Sequence, residues 1–171
     1  LFFGFIRDYK GLDLLIEAMN RLPGDYHLIV AGEVYGSFEK YTKMIDDFKL
    51  NDRIHLFNHY ISDDEVTLYF SASDACVLPY KSATQSGITA ISHHFNLPII
   101  ATDVGGLKET IEHGETGLIV SEPKSHLIAN AISSYYTNNF KAKFSAKIEN
   151  EKAENSWSNF ADKLVAFSKT L

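Results

Sequence analysis

Cysteine is nearly absent from this chain, and the one present, Cys76, excludes an internal disulfide. It sits inside the apolar run Ala75 to Leu78, where a free thiol acts as a small buried hydrophobe, and such sparing use of cysteine suits a reducing compartment. Positive charge is also scarce. Lys and Arg total 16 against 22 Asp and Glu, and the formal charge of -6 argues against a broad nucleic-acid or anionic-membrane surface while leaving room for one local basic site. No apolar run approaches the roughly 20 residues that span a bilayer, so no transmembrane segment is expected. The reading is a cytoplasmic protein, placed at most against the inner face of a membrane. Two phosphate-binding signatures are missing as well. Gly4-Phe5-Ile6-Arg7-Asp8-Tyr9 does not supply the Gly-x-Gly-x-x-Gly of a dinucleotide site, and no Gly-x-x-x-x-Gly-Lys-Ser/Thr loop exists. No metal site is expected either, because His55 and His59 fall on a strand and its exit and His93-His94 reads as a helix surface pair.

What is present is a globular composition, 45% hydrophobic and 22% charged over 171 residues, enough for one domain and short for two. The chain starts with Leu1-Phe2-Phe3-Gly4-Phe5-Ile6, inside an apolar strand with no cap or turn before it, and is read as a piece of a longer protein. Short apolar runs at His27 to Ala31, Ile54 to Phe57, Ala75 to Leu78, Ile99 to Ala101 and Gly117 to Val120 continue the strand pattern. Helical spacing separates them: Leu12, Leu15, Ile16 and Met19; Phe38, Tyr41, Met44, Ile45 and Phe48; Val66, Tyr69 and Phe70; Leu127, Ile128, Ala131, Ile132 and Tyr135. Gly105-Gly106 is expected to open a further helix through Leu107 and Ile111. Residues 138–171 form a C-terminal helical segment, polar and loosely packed to about Ser156, then amphipathic through Trp157, Phe160, Leu164 and Phe167. The fold class is α/β, a single Rossmann-like doubly wound parallel sheet of about six strands in the order 3-2-1-4-5-6.

That order has a geometric consequence. Strands one and four become neighbours at the switch point, so the Arg7 to Gly11 loop and the Tyr80 to Gly87 loop flank one crevice at the carboxyl ends of the strands. The stretch Asp74 to Gly106 is the organising one: strand, a small polar loop, and a helix beginning at Ser86-Gly87, whose free N–H groups and dipole attract phosphate. Arg7, Lys10, Ser82, Thr84, Gln85 and Ser86 supply two cations, three hydroxyls and an amide, which favours a phosphorylated ligand. The competing reading is an ordinary Ser-capped connection beside a solvated polar loop. Glu33, just past the second strand, is a weak candidate for a ribose, against a solvated turn carboxylate. Ser62-Asp63-Asp64-Glu65 has capping-box spacing, so its carboxylates are expected to start a helix.

Several segments in order resemble the nucleotide-binding domain of family 4 (group 1) retaining glycosyltransferases of GT-B fold. They are Gly4 to Ala18, Ile29-Val30-Ala31-Gly32, Ile61 to Glu65, Ala75 to Pro79, and, most specific, Pro98 to Glu109 with Gly114 to Val120. The resemblance implies one half of a two-domain transferase whose donor, a nucleotide-diphosphate sugar (UDP- or GDP-sugar), lies in the cleft between the domains. It implies that Lys10 and, by transfer from the position now held by Phe5, Arg7 serve as catalytic cations. It places Gly4, Ser82, Thr84, Gln85, Ser86 and Gly87 at the diphosphate and sugar, and Tyr60 and Ile61 near the base. The partners it implies are a separate N-terminal acceptor domain and a glycan or lipid-linked acceptor; no metal or other cofactor is required. The usual pair of glutamates is replaced by Ala83 and Ile91. A non-catalytic nucleotide-binding or scaffold domain, or another GT-B enzyme such as a nucleotide-sugar epimerase, therefore stays open as an alternative.

Overall fold

Consecutive residues in each strand feed opposite faces of one sheet, and this alternation sets the architecture. In a computed structural model, which describes residues 1–154 and positions 159, 161, 165, 167 and 168, Phe2, Val30, Val77 and Ile100 enter one core while Phe3, Ala31, Cys76 and Ile99 enter the other. Both faces are thus buried, which is why the strands read as continuous apolar runs. The strands are β1 (Phe2–Phe3), β2 (Leu28–Ala31), β3 (Ile54–Phe57), β4 (Cys76–Leu78), β5 (Ile99–Thr102) and β6 (Gly117–Val120). All ladders are parallel. One triplet runs β1-β2-β3, with Phe2 opposite Val30 and Leu28 opposite Ile54, and the other β4-β5-β6, with Cys76 opposite Ile99 and Ile99 opposite Gly117. Leu1 joins them: its N–H donates to Ala75 O (2.8 Å) and its carbonyl accepts from Val77 N (2.8 Å). The resulting order is 3-2-1-4-5-6, as the sequence predicts.

Within residues 1–154 the faces are covered by α1 (Leu12–Arg21), α2 (Glu39–Asp47), α3 (Asp63–Ser71), α4 (Gly87–His94), α5 (Ser125–Thr137) and α6 (Phe140–Glu154). Leu12, Leu15, Ile16 and Met19 of α1 pack with Tyr41 and Ile45 of α2 and Ile128, Ile132 and Tyr135 of α5. Tyr69 and Phe70 of α3 belong to the opposite core, with Ile88 and Ile91 of α4 packed against it. The capping box forms, Ser62 N and Oγ both donating to Glu65 Oε2 at 3.0 and 2.8 Å. The acidic cluster therefore starts α3, and these bonds hold the Glu65 carboxyl below its ordinary range. Among the described residues no helix is long and apolar enough to cross a membrane.

Three expectations need correction. The helix expected after Gly105-Gly106 is only a single 3-10 turn, Leu107–Glu109, because Gly105 adopts φ 54, outside the right-handed helical region. The segment after Asn138 is not loosely packed: α6 buries Phe144 and Ile148 completely, with Phe144 stacked on Phe140 at 4.8 Å. Its ends are tied by Lys143 Nζ to Gly114 O (2.9 Å) and Lys152 Nζ to His94 O (2.6 Å). His93 is not a surface residue; it is half-buried, its Nε2 is enclosed without a partner among the described residues, and burial lowers its pKa. Trp157, Phe160 and Leu164 lie outside the described residues. The packing of α6 predicts that Phe144→Ala lowers unfolding free energy by about 3–5 kcal/mol in urea titration, whereas a helix merely resting on the surface predicts a change within about 0.5 kcal/mol.

Candidate functional site

The first wall of the site comes from the turn that follows β1. Gly4 N bonds Ala31 O at 2.9 Å and Ile6 N bonds Glu33 O at 2.8 Å, so the chain stays alongside β2 until Arg7. Asp8, Tyr9 and Lys10 then make a 3-10 turn that Gly11 closes in the left-handed region (φ 70). Closure folds Lys10 inward, leaving it 7% exposed. Its ammonium lies over Gly4, where a Cβ would stand 3.1 Å from Nζ, and 5.8 Å from the centroid of the Tyr80 ring. No carboxylate or hydrogen-bond acceptor meets Lys10 Nζ among the described residues. Burial, and secondarily the charge of Arg7, pull its pKa down to about 8.

The second wall is the loop from β4 to α4. Tyr80 is buried, its hydroxyl shares a 3.2 Å hydrogen bond with Ser86 Oγ, and burial pushes its pKa up to about 12. Ser86 caps α4, Oγ accepting from Ile88 N at 3.3 Å. The segment Thr102 to Gly106 supports this loop from behind. Thr102 Oγ1 donates to Tyr80 O at 2.6 Å, and Gly106 N donates to Thr84 O at 2.7 Å. Gly105 packs so closely that a side chain there would land on the Ala83 carbonyl. The two walls also touch directly, through Lys81 N to Tyr9 O at 2.7 Å.

Most of the residues singled out in the sequence meet in two hollows. Gly4, Lys10, Glu33, Tyr60 and Ile61 line one of about 250 Å³ together with Ile88. Ser82, Thr84 and Gln85 line another of about 370 Å³ with Tyr9. Ser86-Gly87 is the chain segment between the Gln85 wall of the second and the Ile88 wall of the first. Two placements differ from expectation. Arg7 lines neither hollow; its guanidinium lies 4.4 Å from the Tyr35 ring centroid. The Ser86 hydroxyl already bonds Tyr80 Oη and accepts from Ile88 N. Ala83 and Ile91 are half-buried against the second core.

Sequence reasoning missed a four-charge cluster beside the two walls. Lys81 Nζ reaches Asp13 Oδ2 (2.8 Å) and Asp8 Oδ2 (3.3 Å), and Lys40 Nζ reaches Asp8 Oδ1 (2.8 Å) and Asp13 Oδ2 (3.1 Å). The bond to Lys40, and then that to Lys81, lowers the pKa of Asp8. Burial opposes the charge on Lys81, but the bonds to Asp13 and Asp8 outweigh it and raise its pKa. Only one cue existed in the sequence, a lone Lys in an otherwise neutral loop. The role of Thr102 was equally hidden. Removing its hydroxyl in Thr102→Val leaves the Tyr80 carbonyl without that buried donor, and a loss of about 1–3 kcal/mol is expected in chemical denaturation.

Residues 1–155 match the family described as glycosyl transferases group 1. A D-inositol 3-phosphate glycosyltransferase of Pseudarthrobacter chlorophenolicus is 30% identical over 142 residues, covering 80% of this chain but 34% of that protein. The present chain therefore spans about a third of the length of this relative. Among solved structures, Anabaena HepE in complex with UDP superposes with a TM-score of 0.79 at 17% identity, covering 99% of this chain and 49% of the other. The C-terminal domain of a glycosyl transferase group 1 family protein (LpcC) from Francisella tularensis superposes with a TM-score of 0.78 at 20% identity, covering 90% of this chain and 83% of that one. These two likenesses concern the fold; the family match extends over nine-tenths of the sequence, and on it the chain belongs to the group 1 glycosyl transferases.

Proposed function

We propose that this chain is a single donor-binding domain, one half of a retaining glycosyltransferase that moves a sugar from a nucleotide-diphosphate sugar to an acceptor. The observation that carries the reading is Lys10: a buried ammonium with no anionic partner among the described residues, set between Gly4 and the ring of Tyr80. Burying a charge without a counter-ion is costly, and a diphosphate in the adjoining hollow would supply the missing negative charge. The N-terminus of α4 borders the same crevice; Ile88 N and Thr89 N are bonded to Ser86, so Gly87 N is the first-turn donor that would serve a phosphate. As the sugar departs, negative charge grows on the diphosphate, and a preset cation and helix terminus stabilise that charge more in the transition state than before it. Arg7, stacked on Tyr35, would turn from that ring to the outer phosphate. Tyr60, 69% exposed at the edge of the first hollow, would lie against the base, and Glu33 beside it would accept from a ribose hydroxyl. Ser82, Thr84 and Gln85 would face the sugar as neutral contacts.

UDP is the favoured nucleotide because HepE is a UDP complex, with GDP next. The acceptor, a glycan or a lipid-linked glycan, would bind a separate N-terminal domain, and the location would be the cytoplasm or its membrane face. Retention of configuration rests on the family resemblance. A second reading, a nucleotide-binding domain without transfer activity, is favoured by Ala83 and Ile91, both half-buried where side-chain carboxylates are usual. It shares the binding behaviour and parts from the first on turnover.

Calorimetric titration with UDP, GDP, ADP and their sugars is the test. One nucleotide should bind selectively, and Lys10→Ala should weaken it by about tenfold or more, the loss of one charge-assisted contact. Silence from the folded chain, and from the full-length protein, would sink the donor-site reading. A pH series tests the ionisation. Bound phosphate raises the Lys10 pKa from about 8, so binding takes up a proton. Affinity for a nucleotide sugar should be level below that pKa and fall above it, about tenfold weaker at pH 9 than at pH 7; in Lys10→Ala this slope should vanish.

A further inference from the structure

Asp8, Asp13, Lys40 and Lys81 come from four separate segments: the turn after β1, the first turn of α1, the first turn of α2 and the loop after β4. Two ammoniums and two carboxylates neutralise one another there, so Lys40 and Lys81 are occupied and contribute little free positive charge to the crevice. As a stability device the cluster is unremarkable, since its outer members are well exposed, Asp8 by 70% and Lys40 by 50% of the side chain, and such pairs contribute little. Its inner pair differs. Asp13 is 18% exposed and Lys81 31%, their bond is 2.8 Å, and the other Asp13 oxygen is enclosed with no partner among the described residues. An aspartate held in that state fixes Lys81 in place.

Lys81 is also the residue whose N–H bonds Tyr9 O at 2.7 Å. Its backbone and its side chain thus grip the Asp8–Lys10 turn and, through Asp13, the start of α1 that follows it. Immediately after Lys81 come Ser82, Ala83, Thr84 and Gln85, the wall of the second hollow. We propose that Lys81 is a positioning residue, which through Asp13 and Asp8 holds the turn carrying Lys10 at one set separation from the Ser82 to Gln85 loop, so that an anion site for a nucleoside diphosphate exists before the ligand arrives. The ligand in this statement rests on the donor-site reading; the clamp itself does not. Preset geometry matters because small misplacements of binding groups cost affinity and rate far out of proportion to the contacts broken.

The experiment uses the full chain with Lys81→Met, Asp13→Asn, the double variant and Lys81→Arg, reading UDP and GDP affinity by calorimetry and amide hydrogen exchange over residues 80–87. Each of the first two changes should weaken binding roughly tenfold and the double no further, since both cut the same link. Lys81→Arg, which can still reach both carboxylates, should recover most of the affinity. The sign for Asp13→Asn discriminates between roles. Removing a negative charge frees the lysines, so if they acted directly on phosphate the variant would bind more tightly; tighter or unchanged binding overturns the proposal. Exchange over residues 80–87 should quicken in both single variants. Unchanged exchange overturns the clamp even if the wild-type chain binds no nucleotide, a result that would by itself count only against the donor-site reading.

Discussion

Leu1 gives its N–H to Ala75 and its carbonyl to Val77, and through these bonds the two strand triplets become one sheet. The chain first builds outward from β1 to β3, then returns to start the second triplet beside β1. At that reversal the crossovers leave in opposite directions and their loops are left facing each other. Residues more than seventy positions apart, Lys10 and the Ser82 to Gly87 loop, share a crevice for no other reason. If β4 lay at an outer edge of the sheet, the same residues would be scattered surface polars.

The electrostatics of the crevice follow from what surrounds it. Asp8, in the turn of the first wall, and Asp13, just after it, are taken up by Lys40 and Lys81. The walls themselves present hydroxyls, amides and glycine backbone, with Glu33 at the rim of the first hollow and the buried Lys10 inside it. Tyr80 is central to this arrangement: its ring flanks Lys10, its hydroxyl meets the α4 cap, and its carbonyl receives the Thr102 hydroxyl. A single buried residue, by its ring, hydroxyl and main-chain carbonyl, thus links the cation, the helix terminus and β5.

The sequence made visible whatever depended on neighbours along the chain. Strand runs such as Ile99 to Ala101, the Ser62 to Glu65 box and the Ser86 cap are local patterns, and their residues do what their spacing says. Lys10 was legible because topology alone carries it to the crevice. Gly105-Gly106 misled because adjacent glycines mark either a helix start or a turn, and the choice was made by the Ala83 carbonyl pressing on Gly105 from another segment. In α6, Phe140, Phe144 and Ile148 stand at helical spacing, but the lysines among them read as solvent-facing until Lys143 and Lys152 are seen reaching to distant carbonyls. Lys81 was not legible for the same reason, its partners lying 68 and 73 positions away.

The burial that prepares Lys10 for an anion also changes its reactivity. Burial first, and then the charge of Arg7, hold its pKa down to about 8, so it gives up its proton more readily than a solvated lysine does. Ordinary surface lysines at about pH 8 are almost wholly protonated and inert by comparison. A phosphorylated ligand bound beside Lys10 would restore its charge and so quench that reactivity.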